Sequence, residues 1–190
     1  MRKAYFLGLV ALGASILAGR ADIIPTLSST TSVGSNFTWN YSANLTVDQK
    51  ITTGDFFTIY DFGAFTKGSN MQPAGWTFSS SLLGVTPSLV TPKDNPSILN
   101  LTWTYTATTP ITVAGALGTF SVIAGTNQLR TSDFAAQATR STGPNGTKVD
   151  NIGNIAVPVP EMSALLPILS VCSAGLLSLV PSFLRRRHAS

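Results

Sequence analysis

The chain is short of the side chains that enzymes usually titrate. Its 190 residues include one histidine, His188, one cysteine, Cys172, and one glutamate, Glu161, and only 11% of the residues are charged. Between Asp22 and Val157 none of these three residue types occurs. Without an imidazole, Ser-His-Asp and Cys-His nucleophilic mechanisms lack their base in that stretch. Without imidazole or thiolate ligands a His/Cys zinc site is excluded as well, and the reading is no metal and no cofactor. With no cysteine pair there is no internal disulfide, so about 136 residues must be held by their core alone, a length at which burial suffices.

Positive charge is also scarce once the two ends are set aside. The formal net charge is +4, but Arg2, Lys3, Arg20, Arg185, Arg186 and Arg187 supply half of the basic residues. The middle holds Lys50, Lys67, Lys93, Arg130, Arg140 and Lys148 against seven aspartates, a net charge of −1. A nearly neutral domain has no electrostatic footprint for a phosphate backbone, so nucleic acid is not an expected partner.

Long apolar runs, by contrast, stand at both ends. Arg2 and Lys3 precede an apolar stretch from Ala4 to Ala18, and Gly19 and Ala21 hold the minus-three and minus-one positions of a cut before Asp22. These flanks predict a signal peptide over 1–21, read by the Sec translocon and a signal peptidase, because about 15 apolar residues are too few to span hydrocarbon. Residues Ala164 to Leu184 carry no charge and run directly into Arg185, Arg186 and Arg187. That length and that basic stop predict a transmembrane helix over 164–184 with its arginines retained in the cytoplasm. A GPI signal would end in apolar residues rather than in Arg185 to Ser190.

The middle reads as strands. From Phe37 to Val47 every odd position is apolar (Phe37, Trp39, Tyr41, Ala43, Leu45, Val47) and every even one is polar. Period two means one buried and one wet face. The pattern returns at Leu99, Leu101, Trp103, Tyr105 and Ala107. Asp55 to Phe65 is aromatic-rich and irregular, which predicts a strand buried on both faces or kinked by a bulge. Shorter strands are expected at 76–78, 82–85, 111–113, 117–123, 134–139 and 152–157, separated by Gly, Pro and Asn clusters, with 141–159 leading from the domain toward the tail. The expected fold class is all-β: a single antiparallel β-sandwich, jelly-roll or immunoglobulin-like, over 22–157, plus a signal-peptide helix and a C-terminal transmembrane helix.

Candidate chemistry is sparse. Asp48, Asp55 and Asp61 are the carboxylates a glycoside hydrolase would need in a pair. Asp55 and Asp61 also have the oxygen chemistry that calcium takes, although no Asp-x-Asp-x-Asp-Gly loop is present. Isolated aspartates beside Gly or Thr are more often turn or cap residues. Trp39, Tyr41, Trp103 and Tyr105 sit on the apolar parity of their strands and read as core. Trp76, in a glycine-rich turn context, is the aromatic expected to be exposed for stacking on a ligand. Asn36, Asn40, Asn44, Asn100 and Asn145 each begin an Asn-x-Ser/Thr sequon.

The tail over 158–190 has three ordered parts: a box at Val159, Pro160, Glu161, Met162 and Ser163, the apolar run, and the arginine cluster. This resembles the PEP-CTERM sorting signal of Gram-negative bacteria over roughly the last 32 residues. Pro160 and Glu161 match the box, and Met162 stands where its second proline would be. The resemblance implies recognition by an exosortase-type membrane protease and association with exopolysaccharide or biofilm matrix. The expected function is a non-catalytic exported protein, held in the membrane by its C-terminal helix before processing and found afterwards at the cell surface or outside the cell. The alternatives are a carbohydrate-binding module for cell-surface polysaccharide and, behind it, a small aspartate-dependent glycoside hydrolase.

Overall fold

The computed structural model describes residues 23–144 and 146–160. The expected signal peptide with Gly19, Ala21 and Asp22, the box residues Glu161, Met162 and Ser163, the expected transmembrane helix over 164–184 and Arg185 to Arg187 lie outside the described residues, as does Asn145.

Among the described residues there are nine strands and no helix: β1 Ile23–Val33, β2 Asn36–Leu45, β3 Gln49–Lys50, β4 Phe56–Ile59, β5 Trp76–Ser81, β6 Asn100–Tyr105, β7 Gly115–Ala124, β8 Leu129–Arg140 and β9 Lys148–Pro158. They form two antiparallel sheets. One has the order β1-β2-β7; the other has the order β3-β8-β4-β6-β5, with β9 also paired to β8. Rings from both sheets meet between them. Phe120 of β7 lies 4.9 Å from Phe57 of β4, 5.2 Å from Trp76 of β5 and 5.8 Å from Trp103 of β6, so the arrangement is consistent with a β-sandwich.

Hydrogen bonds reinforce that packing. The Tyr41 hydroxyl on β2 donates to the Ala156 carbonyl on β9 at 2.9 Å, and the Trp39 indole donates to the Thr126 carbonyl at 3.0 Å. The Asn151 amide on β9 donates to the Ile23 carbonyl at 3.2 Å, fixing the start of β1 against the other sheet.

In β2 the alternation holds from Trp39 to Leu45, all four odd residues being buried. It stops there: Val47, expected on the inner face, is 73% exposed, because Asp48 turns the chain with φ 65 into β3. In β4 Phe56, Phe57, Thr58 and Ile59 are all buried, as a strand covered on both faces requires. β6 is covered on both faces too, with Asn100 and Thr102 buried beside Leu101 and Trp103.

Three expectations are corrected. The stretch 82–85 is not a strand; Leu82, Leu83 and Val85 are exposed, and it opens a long segment over the outer face of β4 and β6. Residues 111–113 make only an isolated bridge, Ile111 to Ile51. The strand expected at 152–157 is present but longer: Lys148 to Pro158 pairs with β8, from Thr139↔Lys148 to Leu129↔Pro158, so most of 141–159 belongs to the sheet instead of leading away from it. β1 had no period-two signature and escaped the sequence reading. It is an edge strand, which is why Pro25 is tolerated within it.

Candidate ligand-binding site

A polar concavity forms where β4 ends, β8 begins and the segment 82–99 returns to the sheet. It is lined by Asp61, Lys93, Arg130, Thr131, Ser132, Asp133 and Asn154 and has a volume of about 220 Å³. Asp61 enters because the chain leaves β4 and turns with φ 53 at that residue. Asp133 of β8 and Asn154 of β9 are register partners, which sets both at the same height.

The two carboxylates hold the covering segment. Asp133 Oδ2 accepts the Lys93 backbone N–H at 2.8 Å, and Asp61 Oδ1 accepts the Asn95 N–H at 2.8 Å. On the other side the Arg130 guanidinium donates to the Asp61 carbonyl, while its Nε is buried with no partner among the described residues. Two cations and two carboxylates therefore surround one small volume with no net charge.

Further along the same face the cover is fastened by side chains of β4 and β6. Thr58 and Tyr60 both donate to the Val85 carbonyl, at 2.7 and 2.9 Å, and the Asn100 amide donates to the Leu82 carbonyl at 3.1 Å. Burial pushes the Tyr60 phenol above its ordinary range; the Thr86 and Thr58 hydroxyls oppose the shift, and Asp94 and Asp133 add to it. Burial raises the Tyr41 phenol as well.

A second, apolar cleft of about 250 Å³ lies between Phe62–Phe65, Ser97–Leu99 and Pro160. Here the end of the described chain is pinned. The Val159 N–H donates to the Gln128 carbonyl at 2.9 Å, and a Cβ on Gly63 would stand 2.5 Å from the Pro160 nitrogen. Only glycine permits that approach. Pro158, which the sequence assigns to the tail, thus belongs to β9, and the first two box residues Val159 and Pro160 lie half-buried against the domain.

The aspartates expected to work together do not meet. Asp55 and Asp61 are separated by the length of β4, roughly 20 Å at about 3.3 Å per residue, against the ~5–10 Å a glycosidase pair needs. Asp55 is fully buried at the opposite end of the strand, where it accepts from the Thr52 N–H at 2.7 Å, from the Thr139 hydroxyl at 2.9 Å and from the Lys148 ammonium at 2.5 Å. Its acceptor positions are committed to protein, which leaves none for calcium. Asp48 is an exposed turn residue. Among the described residues no group of three His, Cys, Asp or Glu side chains converges on one point.

Trp76 is corrected from exposed platform to core. It is 5% exposed and packed edge-on against Phe57, Tyr105 and Phe120, so neither face is open to a ligand. Its glycine-rich flank misled, because Gly75, with φ 84, turns the chain inward there. Asn100 is buried too and has no room for a glycan.

Lys93, Arg130, Ser132, Asp133 and Asn154 carry no local motif, and their only sequence signal is that charged residues are scarce throughout the domain. No protein-family model matches this chain, and no curated protein matches it in sequence.

Proposed function

We propose that this chain is a non-catalytic exported protein of the cell surface or extracellular matrix. On this reading the Sec translocon and signal peptidase deliver it, its C-terminal helix holds it in the membrane, and an exosortase-type protease acts on the box. Association with exopolysaccharide or biofilm then follows. What supports the reading is the position of the two antiparallel sheets on the chain: their strands, from β1 to β9, lie between the two apolar runs of the sequence.

Ile23 and Pro160 lie at opposite ends of the domain. Ile23 sits beside Asn151 near the start of β9, whereas Pro160 sits against Gly63 beyond its finish. A domain tethered through its C-terminal side would therefore hold the β1 start away from the bilayer. Of the two finer folds, the order β1-β2-β7 opposite β9-β8-β4 supports the immunoglobulin-like plan, in which A-B-E faces G-F-C, with the β5–β6 hairpin added to the β4 edge.

The test is a truncation placed after Pro160, so that the contacts of Val159 and Pro160 are kept. Loss of 161–190 should release a folded domain from the envelope; recovery of the truncated protein in the membrane fraction would reject the tail's role. A second reading, a carbohydrate-binding module, is favoured by the polar concavity between β8, β9 and the covering segment.

A further inference from the structure

Within the polar concavity the cations and anions are not equally committed. Asp61 and Asp133 each spend a carboxylate oxygen on a backbone N–H of the covering segment. Arg130 is oriented by the Asp61 carbonyl, yet its Nε–H is buried and bonds nothing among the described residues. A buried donor without an acceptor costs about 1–3 kcal/mol, more for a charged group, and Arg130 lines the concavity, so an acceptor that enters there and draws the guanidinium toward it would relieve that cost. The Lys93 side chain is exposed, and its ammonium has no partner among the described residues.

We propose that this concavity binds a small polyhydroxylated carboxylate of the sugar-acid class, its carboxylate held between Arg130 and Lys93 and its hydroxyls by Ser132, Asn154 and the remaining oxygens of Asp61 and Asp133. The carboxylate half follows from the uncommitted cations, because charge-assisted N–H···O⁻ bonds are the strongest a guanidinium makes. The hydroxyl half follows from the carboxylates. A bare inorganic anion would leave Asp61 and Asp133 as repelling neighbours with lone pairs to spare, whereas hydroxyls donate to them. Size selects one unit rather than a polymer segment, since about 220 Å³ is below the ~300–1,000 Å³ of ordinary ligand pockets. With no aromatic ring in the lining, recognition rests on polar contacts rather than on stacking.

The inference rests on the carbohydrate-binding reading and narrows it. The experiment is a titration of the ¹⁵N-labelled full chain in neutral-detergent micelles with sodium glucuronate, glucose and inorganic phosphate, following the Arg130 Nε–H resonance. Glucuronate should move that resonance in a saturable way with a dissociation constant on the order of 1 mM, and Lys93→Gln should weaken it about tenfold. Arg130→Lys, in which glucuronate binding is followed by calorimetric titration instead, should weaken that binding at least about tenfold while leaving the urea midpoint near that of the parent, which separates loss of the site from loss of the fold. Silence of the resonance at ~20 mM glucuronate would overturn the proposal. An equal response to phosphate would reduce the site to a general oxyanion trap and also overturn it. Glucose binding as well as glucuronate would reject the carboxylate contact while leaving the broader carbohydrate reading in place.

Discussion

Asp55 shows how a carboxylate in this domain is used. It is fully buried, and its ammonium partner Lys148 keeps 39% of its side chain in solvent. Removing the charge that two threonines, a backbone N–H and an ammonium converge on leaves those donors unmatched. Asp55→Asn should lower stability by about 2–4 kcal/mol in urea unfolding, and Lys148→Met by less, because a half-exposed partner is screened by water. The buried phenols set a different dependence. Both Tyr41 and Tyr60 have their ionisation pushed upward by burial, so the folded state holds the neutral form while the unfolded chain ionises near the ordinary value of about 10. Above that pH the unfolded state binds fewer protons than the folded one, and stability must fall as pH rises, by at most about 1.4 kcal/mol per unit for each phenol and only until the folded phenol itself ionises. Urea midpoints measured from pH 9 upward, roughly the onset of phenol ionisation, should therefore decline, and Tyr41→Phe should flatten the slope at the expense of about 1 kcal/mol for its bond to Ala156.

Among the elements, β1, the two-residue β3 and the covering segment 82–99 were not legible in the patterning. β1 was invisible because an edge strand with both faces largely in solvent needs no alternation: from Ser28 to Val33 every residue is exposed, and its pairing with β2 is a backbone matter. The covering segment was misread because Leu82, Leu83 and Val85 have a strand's composition but no neighbouring strand to pair with. It is held instead by hydrogen bonds that Thr58, Tyr60 and Asn100 donate to its carbonyls and that Asp61, Asp133 and Asp150 accept from its backbone N–H groups. Such a segment should open separately from the sheets beneath it. Tyr60→Phe removes the bonds to Val85 and Thr86, and should raise the rate of limited proteolysis between Leu82 and Pro92 with a global loss of only about 1–2 kcal/mol. Cleavage confined to other loops would contradict this account of how the cover is fastened.

Over the whole molecule, stability depends on one aromatic contact zone between the sheets, since the domain sequence contains no cysteine to add a covalent link. Phe120 is central to it, touching Phe57, Trp76 and Trp103 from the opposite sheet. Phe120→Ala should cost about 3–5 kcal/mol, a large share of the ~5–15 kcal/mol a domain has in total, and a drop of more than about 10 °C in melting temperature would register it. Truncation to alanine at Val113, which lies outside the strands, or at Leu129, the first residue of β8, should be nearly silent because both are exposed.

By itself the sequence determined the class and the inner faces. Period two at Trp39, Tyr41, Ala43 and Leu45, and again at Leu101, Trp103 and Tyr105, named the core residues because alternation follows from backbone geometry alone. What only the tertiary structure decided depends on contacts between residues distant in the chain. It buried Trp76 under Phe120, separated Asp55 from Asp61 along β4, and carried β9 on to Pro158. It also brought Lys93, Arg130 and Asn154 around one volume with Asp61 and Asp133. A period records which side of a strand is dry. It does not record which strand lies opposite, and that pairing is what assembles a pocket.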